Sequence, residues 1–115
     1  MLPMKVQLVI DFLHGNLEHV SLRPGREPDQ KYRDYLEVVQ AGSLTLQDLG
    51  YFCLDTLATI GGEKQAYWLS RWLFGTGVYT AAGDALHLLR VLQTRRANCV
   101  ELAVHWGRST ACRVA

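Results

Sequence analysis

Ten residues near the middle of the chain constrain its fold more than any others: Ser43-Leu44-Thr45-Leu46-Gln47-Asp48-Leu49-Gly50-Tyr51-Phe52. Leu44 and Leu46 alternate with polar neighbours, which is the spacing of a short strand with one apolar face. The run closes on a single carboxylate, Asp48, and Gly50 breaks the chain at once. Aromatic and apolar residues then resume at helical spacing. A strand that turns directly into a helix points to an α/β fold with a mixed sheet. A carboxylate at the carboxyl end of such a strand sits where open α/β sheets bind ligands. It is also well placed to hold a hard cation through oxygen. An Asp ahead of a Gly serves equally as a turn or helix cap, and these residues alone leave both roles open.

The flanking sequence supplies further elements. Val6, Leu8, Ile10 and Phe12 alternate with Gln7, Val9 and Asp11, a strand with one strongly apolar face. His14-Gly15-Asn16 makes a tight turn, and Leu17 to Leu22 returns as a second strand. Arg23-Pro24-Gly25-Arg26-Glu27-Pro28 has the chemistry of an exposed loop. Asp29 is placed to cap a helix in which Tyr32, Tyr35, Leu36 and Val39 form the apolar stripe. Phe52 to Ile60 predicts a short helix that stops at Gly61-Gly62. Ala66 to Phe74 predicts a buried strand, with Val78 to Ala81 pairing back on it. Asp84 caps a helix carrying Ala85, Leu88, Leu89 and Leu92, and Asn98 to His105 is a last strand. Three glycines between Gly75 and Gly83 mark a boundary, which divides the chain into residues 1–74 and 75–115.

At 115 residues the chain makes one domain at most, with apolar residues enough for a core. No apolar run reaches the length of a membrane span, and the first residues lack a signal-peptide pattern. A cytoplasmic location and no membrane partner are therefore expected. Cys53, Cys99 and Cys112 are odd in number and widely spaced, which fits neither a disulfide framework nor a zinc site. The formal net charge is +1. Residues 1–60 carry five cations against eight acids, and residues 61–115 seven cations against three acids. An Arg-weighted half suits phosphate recognition, although scattered cations also make an ordinary solvated surface.

Most other chemistry is absent from the pattern. His14, His19, His87 and His105 are too dispersed for a zinc motif. Ser21, Ser43, Ser70 and Ser109 lie in no nucleophile elbow. Asp11 reads as an outward polar residue of the first strand and Asp55 as a solvated helix residue. Arg95 and Arg96 meet the negative end of a helix. Tyr67, Trp68 and Trp72 are able to stack on bases, yet aromatics in a strand more often fill a core.

LQDLGYF, preceded by VQLVIDFLHGNLEHVSLRPGREPDQ and followed by AYWLSRW, resembles the middle of a bacterial insertion-sequence transposase. The pattern is most similar to the insertion-sequence-four family of DDE transposases, from about Lys5 to about Gly107. The resemblance implies a ribonuclease H-like catalytic core that cuts and joins insertion-element DNA with magnesium. It makes Asp48 the second of three metal-binding carboxylates, and Arg71 a basic position able to touch DNA phosphate. Arg71 also reads as an edge-strand charge that keeps the strand soluble. In that family the first Asp lies on an upstream strand and the final Glu beyond an inserted β-rich region, and neither has a counterpart here. The implied protein is a partial ribonuclease H-like fold lacking its first strand, with the start of the inserted region from residue 75, and inactive alone. A strand edge and the apolar face of Val6, Leu8, Ile10 and Phe12 would then be uncovered, so self-association is expected. Two other readings remain: a non-catalytic DNA-binding or protein-interaction remnant, and an unrelated small α/β structural domain.

Overall fold

The computed structural model describes residues 3–95, 98–107 and 110–114. Strands β1 (Met4–Asp11) and β2 (Asn16–Pro24) form an antiparallel hairpin with Val6 opposite Leu22 and Leu8 opposite Val20. Asp11 locks the turn. Its carboxylate accepts from the amides of Leu13 and His14 and pairs with His14 Nδ1 at 2.7 Å. Gly15 takes a φ of 70°, the left-handed conformation that a side chain disfavours.

Short 3-10 turns follow at Asp29–Lys31 and Asp34–Val38 in place of the expected α-helix. Tyr32, extended just past the first turn, and Tyr35, within the second, are both buried. Strand β3 (Leu44–Leu46) leads to a third 3-10 turn, Leu49–Tyr51. Helix α1 (Leu54–Ala58) then widens into a π turn over Thr59–Glu63, which contains Gly61 and Gly62. Strand β4 (Tyr67–Leu69) pairs with β3 in parallel, Leu44 opposite Tyr67 and Leu46 opposite Leu69.

The remaining strands make a four-stranded antiparallel sheet. Its order is β6 (Ala85–Leu86), β5 (Val78–Tyr79), β7 (Leu102–Trp106) and β8 (Thr110–Val114). Helix α2 (Leu88–Thr94) is capped by His87, whose Nδ1 accepts from the amide of Arg90, and not by Asp84. Asp84 instead closes the β5–β6 turn: its carbonyl accepts from the Thr80 amide at 2.9 Å, and its amide donates to Thr80 Oγ1 at 3.2 Å. Val78 and Tyr79 pair with β6 and β7, not with the strand before them.

Two apolar clusters hold these parts together. One joins Phe52, Leu57, Val78, Leu88, Val104 and Trp106, so residues on both sides of position 75 share a core. The other joins Tyr32, Tyr35, Ile60 and Ala66, with Val9 and Tyr51 packed against it. Trp68 packs against both clusters.

The hairpin, expected in one mixed sheet with the Asp48 strand, forms its own two-stranded sheet. Its apolar face turns outward, and a polar residue takes the inner side. Val6, Leu8 and Ile10 are 55%, 53% and 59% exposed, whereas Gln7 between them is 2% exposed. Leu44, Leu46, Tyr67 and Leu69 of the parallel pair are exposed as well. The radius of gyration is 16.2 Å, larger than the roughly 13 Å of a compact domain near this length.

Candidate functional site

Asp48 lies two residues past the carboxyl end of β3, and Arg71 lies two residues past the carboxyl end of β4. Because β3 and β4 are parallel and paired Leu46 to Leu69, the two side chains leave the same end of one small sheet. Asp48 is extended, with φ −74° and ψ 157°, and its carbonyl accepts from the amide of Tyr51 at 3.0 Å. Its carboxylate makes no capping bond. The turn is therefore closed by backbone, and the exposed carboxylate stays uncommitted. The Arg71 side chain is likewise exposed and enters no ion pair among the described residues.

A second carboxylate, Asp29, borders the same turn instead of capping a helix. Its Oδ1 accepts from Lys5 Nζ at 2.6 Å and from Gln7 Nε2 at 3.0 Å. Its other oxygen faces Gly50: a Cβ built there would stand 3.4 Å from Asp29 Oδ2 and 3.7 Å from Asp48 Oδ2. The missing side chain of Gly50 thus leaves open the space that both carboxylates border. The Lys5 hydrogen bond, then that of Gln7, holds the Asp29 carboxyl below its ordinary value. Burial, then the Asp29 charge, raises the Tyr51 phenol. Tyr51 therefore keeps its proton and donates it to Gln7 Oε1. Asp29, Gln7 and Tyr51 come together from positions far apart in sequence, and no local motif marks them.

The other candidates are dispersed. Asp11 is engaged in the hairpin turn, where hydrogen bonding to His14 lowers its pKa. Asp55 is solvated and lies 3.7 Å from Arg33. Trp68 and Trp72 pack against the first cluster, while Tyr67 is exposed. Arg95 follows the last residue of α2, and Arg96 falls outside the described residues. Cys53 and Cys99 are free thiols, and the Cys112 side chain also falls outside the described part.

Asp48 offers oxygen donors alone, the donor chemistry that magnesium requires. Among the described residues no three His, Cys, Asp or Glu side chains gather into a metal-binding group. Magnesium is commonly held by one or two carboxylates together with water and substrate phosphate. Asp48 fits as one such ligand. It does not make a self-sufficient cage. Among the described residues no helix is long and apolar enough to cross a membrane.

Comparison with known proteins gives one consistent result. The chain is 32% identical over 76 residues to the transposase for insertion sequence element IS231F of Bacillus thuringiensis subsp. israelensis, which covers 65% of this chain and 16% of the relative. It is 32% identical over 76 residues to the IS231B transposase of subsp. berliner, with the same 65% and 16% coverage. A third relative, the IS231E transposase of subsp. finitimus, is 30% identical over 76 residues, again 65% of this chain and 16% of the relative. No protein-family model and no solved structure matches the chain.

Proposed function

Because this chain is a relative of the bacterial insertion-sequence transposases over about two thirds of its length, we propose that it corresponds to part of a DDE-type catalytic core, with Asp48 as one of three metal-binding carboxylates. The observation that carries this reading is the paired placement of Asp48 and Arg71. An uncommitted carboxylate and an uncommitted guanidinium stand at the carboxyl ends of two adjacent parallel strands. That end of an open sheet is the usual ligand site of such folds. A carboxylate there ligates a cation, and a guanidinium beside it contacts a DNA phosphate, which positions the duplex without reading its sequence. Bound magnesium would polarise the phosphoryl oxygen and activate the attacking one. Asp48 contributes ligand oxygen, and Arg71 contributes charge that draws the DNA backbone in.

The proposed fold is a partial ribonuclease H-like sheet. Two strand pairs that, among the described residues, are not laddered to each other support it, as do the outward apolar faces on both. A further strand between β1 and β3 would join the pairs into one sheet.

Alone, the chain is proposed to be catalytically inert. Two-metal phosphoryl transfer requires several carboxylates around the ions. The second carboxylate beside Gly50, Asp29, is already engaged by Lys5 and Gln7. Incubation with supercoiled plasmid and with insertion-element end duplexes, in magnesium or manganese, should give no nicking and no strand transfer. Metal-dependent nicking that disappears in Asp48→Ala would overturn the inert reading while supporting the metal role of Asp48.

A further inference from the structure

The inward side of β1 points to a role for its buried polar residue, Gln7. A glutamine 2% exposed between exposed valine and leucine is the opposite of what burial of apolar area favours. Such a placement is tolerated only where the amide is fully hydrogen-bonded. Both ends of Gln7 are: Nε2 donates to Asp29 Oδ1 at 3.0 Å, and Oε1 accepts from the Tyr51 hydroxyl. Lys5 adds a second donor to the same Asp29 oxygen at 2.6 Å, and its ammonium also reaches the Glu27 carbonyl. The chain of bonds runs from the Asp29–Lys31 turn, through Gln7 of the hairpin, to the Leu49–Tyr51 turn.

We propose that Gln7, Asp29 and Tyr51, anchored by Lys5, are positioning residues that fix the turn carrying Asp48. Tyr51 is the lever. Its amide donates to the Asp48 carbonyl at 3.0 Å, and its hydroxyl is held by Gln7. The orientation of the Asp48 carboxylate is thereby referred to β1, although no backbone ladder joins β1 to β3 among the described residues. Gly50 completes the arrangement by letting the turn close against Asp29 Oδ2. The purpose of the clamp rests on the reading of Asp48 as a ligand; its existence does not.

The test is amide hydrogen exchange on the metal-free chain, comparing wild type with Tyr51→Phe. The amides of residue 51 and Phe52 are hydrogen-bonded within the turn, to Asp48 O and Leu49 O, each at 3.0 Å. The amide of Leu57, bonded to Cys53 O at 3.1 Å, reports the neighbouring helix. Loss of the hydroxyl should speed exchange in the turn by about tenfold, roughly the worth of one hydrogen bond, and leave Leu57 unchanged. Where Tyr51→Phe fails to fold, Asp29→Asn, which weakens the Lys5 anchor, should give the same local pattern. Equal acceleration at all three amides, or none in the turn, would overturn the clamp. The metal reading fails separately, when manganese leaves the amides around Asp48 unbroadened in a chain whose exchange pattern is as expected.

Discussion

Leu57→Ala is expected to remove most of the stability of this chain. Leu57 is 0% exposed on helix α1, within the cluster that includes Phe52, Val78, Leu88, Val104 and Trp106. Truncating a buried leucine costs about 3–5 kcal/mol, part from lost transfer energy and part from the cavity left behind. Whole domains hold only about 5–15 kcal/mol. With two strand pairs that leave apolar residues in water, this chain belongs at the low end. Urea unfolding followed by circular dichroism should show the variant largely unfolded, or its stability lowered by about 3 kcal/mol or more. The exposed Leu69→Ala should differ from wild type by no more than about 0.5 kcal/mol. Equal small effects at both sites would mean that the α1 cluster is not the core.

Self-association is the second large expected effect. Val6, Leu8 and Ile10 on β1, with Val20 and Leu22 on β2, form one exposed apolar face. Among the described residues β1 is laddered only to β2, which leaves its other edge open to pairing. Open edges invite addition of strands from other chains, and contiguous apolar patches mark sites of association. The wild-type chain should elute above its monomer size and bind a hydrophobic dye. The triple variant Val6→Thr, Leu8→Thr, Ile10→Thr keeps residues able to sit in a strand, and should elute as a monomer with little dye bound. A monodisperse wild-type monomer with a sharp melt and no dye binding would show that the chain closes its own core. The reading as a partial fold would then give way to an autonomous small domain.

The hairpin was legible because turn chemistry and alternation both act over a few residues. His14-Gly15-Asn16 and the Val6–Ile10 alternation sufficed to locate β1 and β2. The exposure of the Val6–Phe12 face follows the expectation for a sheet lacking a strand, but the burial of Gln7 was not legible. Gln7 is buried by bonds to Asp29 and Tyr51, partners 22 and 44 positions away that no local pattern links to it. The Tyr32–Val39 spacing suits a continuous helix, yet only Asp34–Val38 turns, as a 3-10 segment, and Tyr32 and Val39 are extended. Ala66–Phe74 was read as one long strand from its apolar content, yet only Tyr67–Leu69 finds a partner, in β3. At α2 the cap belongs to His87, whose ring nitrogen serves where a carboxylate was expected. In the candidate site, Asp48 was readable because strand, carboxylate and glycine are contiguous. Arg71 came from the resemblance, and Asp29 could not be found, since its approach to Gly50 is purely tertiary.

The proposed function depends on Asp48 serving as a metal ligand just past the end of β3. Manganese titration followed by proton–nitrogen NMR tests it most directly, because the paramagnetic ion broadens amides near its site. At millimolar manganese the amides of Asp48, Leu49 and Gly50 should broaden first. Asp48→Asn, with the rest of the spectrum unchanged, should abolish that broadening. Broadening centred elsewhere, or surviving unchanged in Asp48→Asn, would rule out Asp48 as the ligand.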